Sequence, residues 1–219
     1  MRAWNRSLVA ATPLALALLC LVAPGAGCTP QGDPGVGPEG FTDDFEREEL
    51  GDTWHNTGAS WRIVDGQLNI RNARNRPLWL SRTLPRDVRI EFDVRSESPE
   101  GDIKVEVFGD GSSRATTESY TATSYVIIFG GWGNTTNAIA RMDEHAPDRV
   151  VGARRPVVPG RTYRMRIERV GSRITAWVDD EELVSMDDPR PLAGTGHDHF
   201  AFNDWQAELW FDNLRITPL

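Results

Sequence analysis

Hydrophobic and polar residues alternate along most of the chain from Phe41 onward. Residues 87–95 alternate without a break, and residues 162–168 do the same. Because successive side chains of a β-strand point to opposite faces, a period of two predicts strands with one face in a core. No run of ten residues in this part of the sequence shows the 3.6-residue period of an amphipathic helix. The pattern therefore predicts an all-β fold.

Turn residues separate these runs at short intervals. Asp65-Gly66 lies between two of them and is typical of a hairpin turn, because such turns need residues that tolerate positive φ. Gly171-Ser172 separates two alternating runs in the same way later in the chain. Many short strands joined by Gly, Pro and Asp turns predict an antiparallel β-sandwich. Further strands are predicted over residues 77–81, 103–108, 120–129, 138–143, 182–185, 199–203 and 208–216.

The first 28 residues have a different character. Arg2 and Arg6 precede an apolar run over residues 8–23, and small residues follow up to Cys28. A basic start, a short apolar segment and a small-residue cleavage region are the three parts of a secretory signal. The apolar run is shorter than the roughly 20 residues that a membrane-spanning helix needs. We therefore expect an exported protein whose signal peptide covers residues 1–28.

The residues Gly25-Ala26-Gly27-Cys28 are similar to the lipoprotein box of bacteria, in which the cysteine is lipidated and becomes the new N-terminus. The sequence departs from that box at Gly25, where the family favours leucine, so cleavage without lipid is the alternative. Thr29 follows in place of the aspartate that is typical of retention at the inner membrane. The resemblance implies a lipid anchor at Cys28 that holds the protein at the outer membrane of the cell envelope.

The rest of the chain divides into a linker and one domain. Residues 29–40 contain seven Gly or Pro in twelve, a composition typical of a mobile tether. Residues 41–219 are long enough to bury a single core without disulfides, and they contain no cysteine. Without Arg2 and Arg6 the chain keeps 22 basic residues against 32 acidic ones, and such a surplus of negative charge argues against nucleic acid as a partner.

Five segments, in their order along the chain, resemble the concanavalin A-like lectin/glucanase domains. They also resemble, within that group, the laminin-G-like and 3-keto-disaccharide-hydrolase-like domains of exported bacterial proteins. The resemblance implies a concanavalin A-like jelly roll over residues 41–219. It does not imply one function, because lectins, hydrolases and structural modules share this fold. The segments are residues 41–45, 61–68, 160–164, 174–179 and 209–216.

A glycine-rich loop over residues 130–137 contains Trp132 and Asn134, and the acidic and basic residues of a predicted strand follow it. If that strand continues to His145, then Arg141, Asp143 and His145 share one face. A tryptophan ring stacks on the C–H faces of a sugar while such polar groups take its hydroxyls. The sequence thus predicts a glycan site here, and the alternative is a structural Arg141–Asp143 pair.

Two further tryptophans are candidate exposed platforms. Asn203, Asp204 and Trp205 occupy a predicted hairpin tip, where they would form the rim of the same site. Trp177 shares a face of a predicted strand with Thr175 and Asp179 and is the third platform.

The resemblance also implies a structural Ca²⁺ between the first and last strands, where Asp44 and Asp212 stand at similar places. Carboxylate oxygens suit such an ion. The alternative is that Asp212-Asn213 caps a turn through side-chain hydrogen bonds. No other cofactor is expected.

These residues support three hypotheses of function. We favour a non-catalytic jelly-roll domain that binds a glycan or polysaccharide. The alternatives are a glycoside hydrolase of the 3-keto-disaccharide hydrolase type, with Asp143, Glu144 or His145 as acid or base, and a structural envelope lipoprotein. The sequence shows no pair of carboxylates at the spacing that a glycosidase needs, which favours binding over catalysis.

Overall fold

A computed structural model describes Met1, residues 35–117 and residues 119–219. The chain divides into two compact units, Met1–Gln31 and Gly32–Leu219. Apart from Met1, the predicted signal peptide with Cys28 lies outside the described residues, and so does the first half of the predicted tether. No helix in the described part of the chain is both long and apolar enough to cross a membrane.

The domain is built from β-strands, as the alternating pattern predicts. Its described residues form fifteen strands and one short helical turn, α1 (Gly131–Asn134). The strands are β1 (Phe41–Asp43), β2 (Trp54–Asn56), β3 (Arg62–Val64), β4 (Gln67–Arg71), β5 (Leu78–Leu80), β6 (Val88–Ser96), β7 (Ile103–Gly109), β8 (Tyr125–Gly130), β9 (Thr136–Arg141), β10 (Val150–Val151), β11 (Thr162–Val170), β12 (Arg173–Val178), β13 (Glu181–Asp187), β14 (His199–Asn203) and β15 (Glu208–Pro218).

These strands form two antiparallel sheets that pack as a sandwich. In sheet 1 the order is β13-β12-β11-β6-β15-β4-β3, and β1 pairs with the end of β15. In sheet 2 the order is β10-β9-β8-β7-β14-β5-β2. Strands distant in the sequence lie side by side, such as β6 with β15 and β7 with β14. The predicted all-β sandwich is confirmed.

The core lies between the sheets and follows the alternation of the sequence. Along β6, Val88, Ile90, Phe92 and Val94 are buried, while the charged residues between them are half-buried on the outer face. Aromatic rings fill the centre, where the Phe202 ring lies 4.3 Å from Phe211 and 5.5 Å from Phe92 by centroid. Such ring pairs add to the free energy gained by burying apolar surface.

The structure differs from the sequence-based elements in four places. The strand predicted over residues 120–129 begins only at Tyr125, because residues 119–124 belong to the segment that joins β7 to β8. Strands β1, β2 and β10 were not predicted, because each has only two or three residues and too short a pattern. The strand predicted over residues 138–143 ends at Arg141, since Met142 takes a left-handed backbone with φ of 68°. The predicted tether is also shorter, because Val36 packs on the core and its N–H donates to the Thr83 carbonyl at 2.8 Å.

The outer face of sheet 2 is not open to solvent along its whole length. The segment between β7 and β8 covers part of it: Ala122 and Tyr120 pack on Val126, Ile128 and Ala140 as a second apolar cluster. Other loops approach the same face from the ends of the strands. This cover turns the middle of the outer face into a cavity.

Candidate functional site

A cavity of about 500 Å³ lies on the outer face of sheet 2, and we call it the sheet-2 cavity. Its volume is within the range of about 300–1,000 Å³ that is common for small-molecule sites. Strands β7 and β8 form the floor, and loops from six parts of the chain form the walls. The lining residues are Asn75, Glu100, Asp102, Lys104, Ser119, Tyr120, Thr121, Ile128, Trp132, Gly133, Asp143, Glu144, His145, Trp205, Gln206 and Ala207.

Trp132 sits at the tip of the β8–β9 hairpin in a backbone that its neighbours fix. Trp132 has a φ of 49° and Gly133 one of 66°, both in the left-handed region. Gly130 is also left-handed, and a Cβ there would approach the Val157 side chain to 2.6 Å. The Asn134 side chain ties this turn to residue 157, accepting from the Val157 N–H and donating to its carbonyl, both at 2.7 Å. A non-glycine residue holds such a conformation only where its surroundings impose it.

Trp132 is 38% exposed, and its ring is oriented by two side chains of the β9–β10 loop. The His145 ring stands at 86° to it, with centroids 5.8 Å apart. The Arg149 guanidinium lies 4.8 Å from the ring centroid, within the range of a cation–π interaction. The indole is therefore a partly exposed surface held in one orientation.

Because β9 ends at Arg141, the residues after it form a loop and do not continue on one strand face. The expectation that Arg141, Asp143 and His145 share a face is wrong for this reason. Arg141 does not line the cavity and pairs with Asp188 at 3.0 Å. Asp143 and His145 line the sheet-2 cavity together with Glu144.

Lys104 lies on the cavity floor and is almost completely buried. Its ammonium pairs with a Glu144 carboxylate oxygen at 2.8 Å and donates to the Asn75 side-chain oxygen at 3.1 Å. Burial lowers the pKa of Lys104, but the charges of Asp102 and Glu144 outweigh that effect and raise it above its usual value. Lys104 therefore stays charged inside the domain.

Glu106 lies two residues after Lys104 on β7, so its side chain points to the same face of sheet 2. It is completely buried. Its carboxylate accepts hydrogen bonds from Ser124 at 2.5 Å, from Asn203 at 2.7 Å and from the Tyr120 hydroxyl at 3.1 Å. Burial raises the pKa of Glu106 to about 7 in spite of the bonds from Ser124 and Tyr120. The Tyr120 bond also holds the covering segment against the sheet.

Two more carboxylates surround Lys104. Burial raises the pKa of Asp102, and the charge of Glu144 adds to that shift. Burial also raises the pKa of Asp204, to about 7, with a further contribution from Asp102. One Asp204 oxygen accepts from the Ala73 N–H at 3.0 Å, while its other oxygen is buried without a hydrogen-bond partner among the described residues.

The residues predicted for a glycan site are divided among three places. Trp132, Asp143 and Trp205 line the cavity, as do Glu144 and His145, the other two candidate acids or bases. Asn203 and Asp204 lie behind its wall and are completely buried, so they are not rim residues. Three predicted residues do not line it: Asn134, Arg141 and Trp177.

Trp177 lies on sheet 1 and not on sheet 2. It pairs in register with Arg166 of β11, whose guanidinium lies 4.5 Å from the indole centroid. Its predicted role as a third platform of the same site is therefore wrong.

The calcium prediction has no support in the arrangement of Asp44 and Asp212. Asp44 accepts from the Glu46 N–H, and Asp212 accepts from Gln67 and from the Asn213 N–H. Within the described residues no group of three or more His, Cys, Asp or Glu side chains is placed to hold a metal ion. Asp212 caps a turn, the alternative that the sequence left open for Asp212-Asn213, and Asp44 makes a similar bond to the backbone two residues on.

Sequence reasoning missed Asp102, Lys104, Glu106 and Tyr120. Lys104 and Glu106 alternate with Ile103 and Val105, the same pattern that gives β6 a solvated charged face. One signal was available: Lys104 is the only lysine of the chain. Lys104 is buried by loops that are distant from it in the sequence, such as those that carry Asn75 and Glu144.

Solved structures with this fold include several of similar extent. A protein of unknown function with a galectin-like fold from Bacillus subtilis aligns with a TM-score of 0.60 and 12% identity, over 81% of this chain and 94% of that one. The carbohydrate binding module CBM66 from Bacillus subtilis has a TM-score of 0.58 and 16% identity, over 75% of this chain and 95% of that one. A putative glycosyl hydrolase from Parabacteroides distasonis aligns with a TM-score of 0.58 and 14% identity, over 83% of this chain and 94% of that one. At these identities the likeness shows a shared fold.

Curated protein sequences give no match to this chain. A family model does match, over residues 40–217, which is nearly the whole sandwich. That family is described as the 3-keto-alpha-glucoside-1,2-lyase-like domain, which confirms the resemblance found in the five sequence segments. The chain is a member of the 3-keto-alpha-glucoside-1,2-lyase-like domain family.

Proposed function

We propose that this domain binds a short saccharide in the sheet-2 cavity. The observation that carries the proposal is that one cavity combines Trp132, oriented and partly exposed, with the charged groups of Lys104, Asp143 and Glu144. A sugar ring has apolar C–H faces and polar edges, so it suits a site that offers both kinds of surface.

The comparisons support the same class of ligand. The family description names a glucoside, and one similar structure is a carbohydrate binding module. We further propose that the signal peptide exports the domain and that lipidated Cys28 anchors it in the cell envelope, where it would meet glycans from outside the cell.

Trp132→Ala should lower the affinity for a bound saccharide about tenfold, equivalent to about 1.4 kcal/mol, because it removes the stacking surface. Trp205→Ala should act in the same direction. The measurement is a calorimetric titration with neutral disaccharides, among them cellobiose, maltose, sucrose, trehalose and their 3-keto forms. Trp177→Ala is the matched control, since it removes the same ring from sheet 1 and should leave the affinity unchanged.

Unchanged affinity in both Trp132→Ala and Trp205→Ala would show that the saccharide binds elsewhere. If no disaccharide of the panel binds at any concentration up to about 10 mM, well above the 1 mM dissociation constant of a 4.1 kcal/mol interaction, the proposed function is contradicted.

A second candidate function is cleavage of a 3-keto-glucoside by 1,2-elimination. The observation that favours it is a buried ammonium next to a carboxylate in the cavity, since Lys104 pairs with Glu144 at 2.8 Å, while burial raises the pKa of the neighbouring Asp102. Buried titratable groups with shifted pKa values that line a cavity are typical of acid–base sites.

The chemistry assigns one role to each group. The Glu144 carboxylate takes the proton from C2, whose acidity comes from the neighbouring C3 carbonyl. The Lys104 ammonium donates a hydrogen bond to that carbonyl oxygen as negative charge develops on it. The C1–O bond then breaks, the leaving oxygen takes up the proton that Glu144 removed from C2, and the products are an unsaturated keto sugar and a free alcohol.

We expect the wild-type protein to release glucose from 3-ketotrehalose and to form a product with the ultraviolet absorbance of a conjugated enone. Glu144→Gln should lower the rate at least about 100-fold, because an amide cannot take the C2 proton. Saccharide binding without release of glucose by the wild-type protein would contradict the elimination and leave a binding domain.

A further inference from the structure

The walls of the sheet-2 cavity carry more negative than positive charge. Among the described residues, four carboxylates line it, those of Glu100, Asp102, Asp143 and Glu144, against the single ammonium of Lys104. Within residues 35–117 and 119–219, the ion pairs closer than 4 Å include Glu144 but none of the other three. An uncompensated group of carboxylates creates a negative potential, and the low-dielectric walls of a cleft strengthen it.

The one ammonium is already engaged with the protein. Lys104 bonds to both Glu144 and the Asn75 side-chain oxygen and also interacts with the charge of Asp102, so one positive charge is shared between these carboxylates. Two arginines come near, but Arg149 lies over the Trp132 ring and Arg74 over the Trp205 ring, and neither lines the cavity. The cavity therefore has no free cation with which to bind an anionic ligand.

A second and independent observation is a buried polar atom without a partner. Asp204 is completely buried behind the wall formed by Trp205, and one of its carboxylate oxygens has no hydrogen-bond partner among the described residues. Its charge interacts with those of Asp102 and Lys104. A buried polar group left unpaired costs free energy, so this cluster would gain from an additional cation nearby.

We propose that the sheet-2 cavity prefers saccharides that carry a free amine, binds neutral saccharides less tightly and excludes saccharides that carry a carboxylate. This inference rests on the proposed saccharide site and names its ligand class. An ammonium group on the sugar gives Asp102 and Asp143 the cation that the protein does not provide, through charge-assisted hydrogen bonds. A sugar carboxylate meets the same residues as a like charge, which disfavours binding.

A matched series of β-1,4 disaccharides separates the effect of charge from that of linkage. Calorimetric titrations of the wild-type protein at pH 7 compare the chitosan dimer, with two amines, with cellobiose, N,N′-diacetylchitobiose and cellobiouronic acid. We expect the chitosan dimer to bind at least about tenfold more tightly than cellobiose and diacetylchitobiose, and cellobiouronic acid at least about tenfold more weakly than cellobiose.

Asp102→Asn tests the residue at the centre of the inference. Asp102 has a φ of 52°, a conformation that asparagine tolerates better than most residues, so the variant keeps the local backbone. We expect the affinity ratio of chitosan dimer to cellobiose to fall to about threefold or less. Asp187→Asn removes a carboxylate from sheet 1 and should leave that ratio unchanged.

Equal affinities for the amine and neutral disaccharides, or an unchanged ratio in Asp102→Asn, would contradict the amine preference while the saccharide site stands. If none of the four disaccharides binds, and none of the neutral panel above binds, the proposed saccharide site itself is contradicted. If Asp102→Asn does not fold, the comparison of the chitosan dimer with diacetylchitobiose on the wild-type protein decides the question, because acetylation removes the charge from the same nitrogen atoms.

Discussion

Lys104→Met should destabilise the domain by about 3–5 kcal/mol, because it leaves the Glu144 and Asp102 carboxylates in the interior without their cation. Methionine has a similar length and fits the same space, so the loss comes from charge and not from packing. The measurement is chemical denaturation at pH 7. Glu144→Gln combined with Lys104→Met should recover at least about 1 kcal/mol relative to the sum of the single variants, since the two groups interact directly.

A surface ion pair provides the control for this effect. Arg173 and Asp187 lie on sheet 1 with an N–O distance of 2.8 Å, and more than half of each side chain is exposed. Arg173→Met should cost less than about 1 kcal/mol, because solvent already screens such a pair. A loss for Lys104→Met as small as that for Arg173→Met would contradict the view that Lys104 is a buried structural charge.

The stability of the domain should fall as the pH rises from about 5 to 8. The pKa values of Glu106 and Asp204 are both raised to about 7 by burial. The folded state therefore keeps protons that the unfolded state loses above about pH 4, and deprotonation favours unfolding until the pH passes 7. The expected loss of unfolding free energy is at least about 1.4 kcal/mol, the equivalent of one pKa unit on one group.

Thermal unfolding at a series of pH values measures this slope. Glu106→Gln should reduce it, because the amide removes one of the two groups that titrate in this range. At lower pH the trend should reverse, since hydrogen bonds and ion pairs lower the pKa values of Asp43 and Asp188 in spite of their burial. We attribute the loss of stability below about pH 4 to protonation of Asp43 and Asp188. A midpoint temperature independent of pH between 5 and 8 would contradict the role of Glu106 and Asp204.

The strands of the sandwich were predictable because burial follows the alternation of the sequence. Residues 88–96 and 162–170 form long strands with one buried face, and Asp65-Gly66 joins β3 to β4 in a hairpin. Short strands such as β10 were not predictable, since two residues cannot show a period. The end of β9 at Arg141 depends on a left-handed Met142, for which the sequence carries no turn signal.

The site was predictable only in part, because it depends on which face of which sheet the loops cover. Trp132 and Trp205 stood out as loop tryptophans and do line the cavity, whereas Trp177 belongs to the other sheet. Lys104 lies in a segment where charged and apolar residues alternate, a pattern typical of a strand with one face exposed to solvent. The covering segment that Glu106 holds through Tyr120, together with the loops that carry Asn75 and Glu144, makes that face an interior.

The order of strands within the sheets has a consequence for how the chain folds. In sheet 1, β6 pairs with β15 and joins residues as far apart as Val88 and Pro218. In sheet 2, β14 is inserted between β7 and β5. Contacts between such distant residues form slowly, because the chain must lose much conformational entropy before it makes them. Neither sheet is complete until β14 and β15 have been made, so a ribosome-bound chain that lacks them has no folded domain and also lacks the cavity residues Trp205, Gln206 and Ala207.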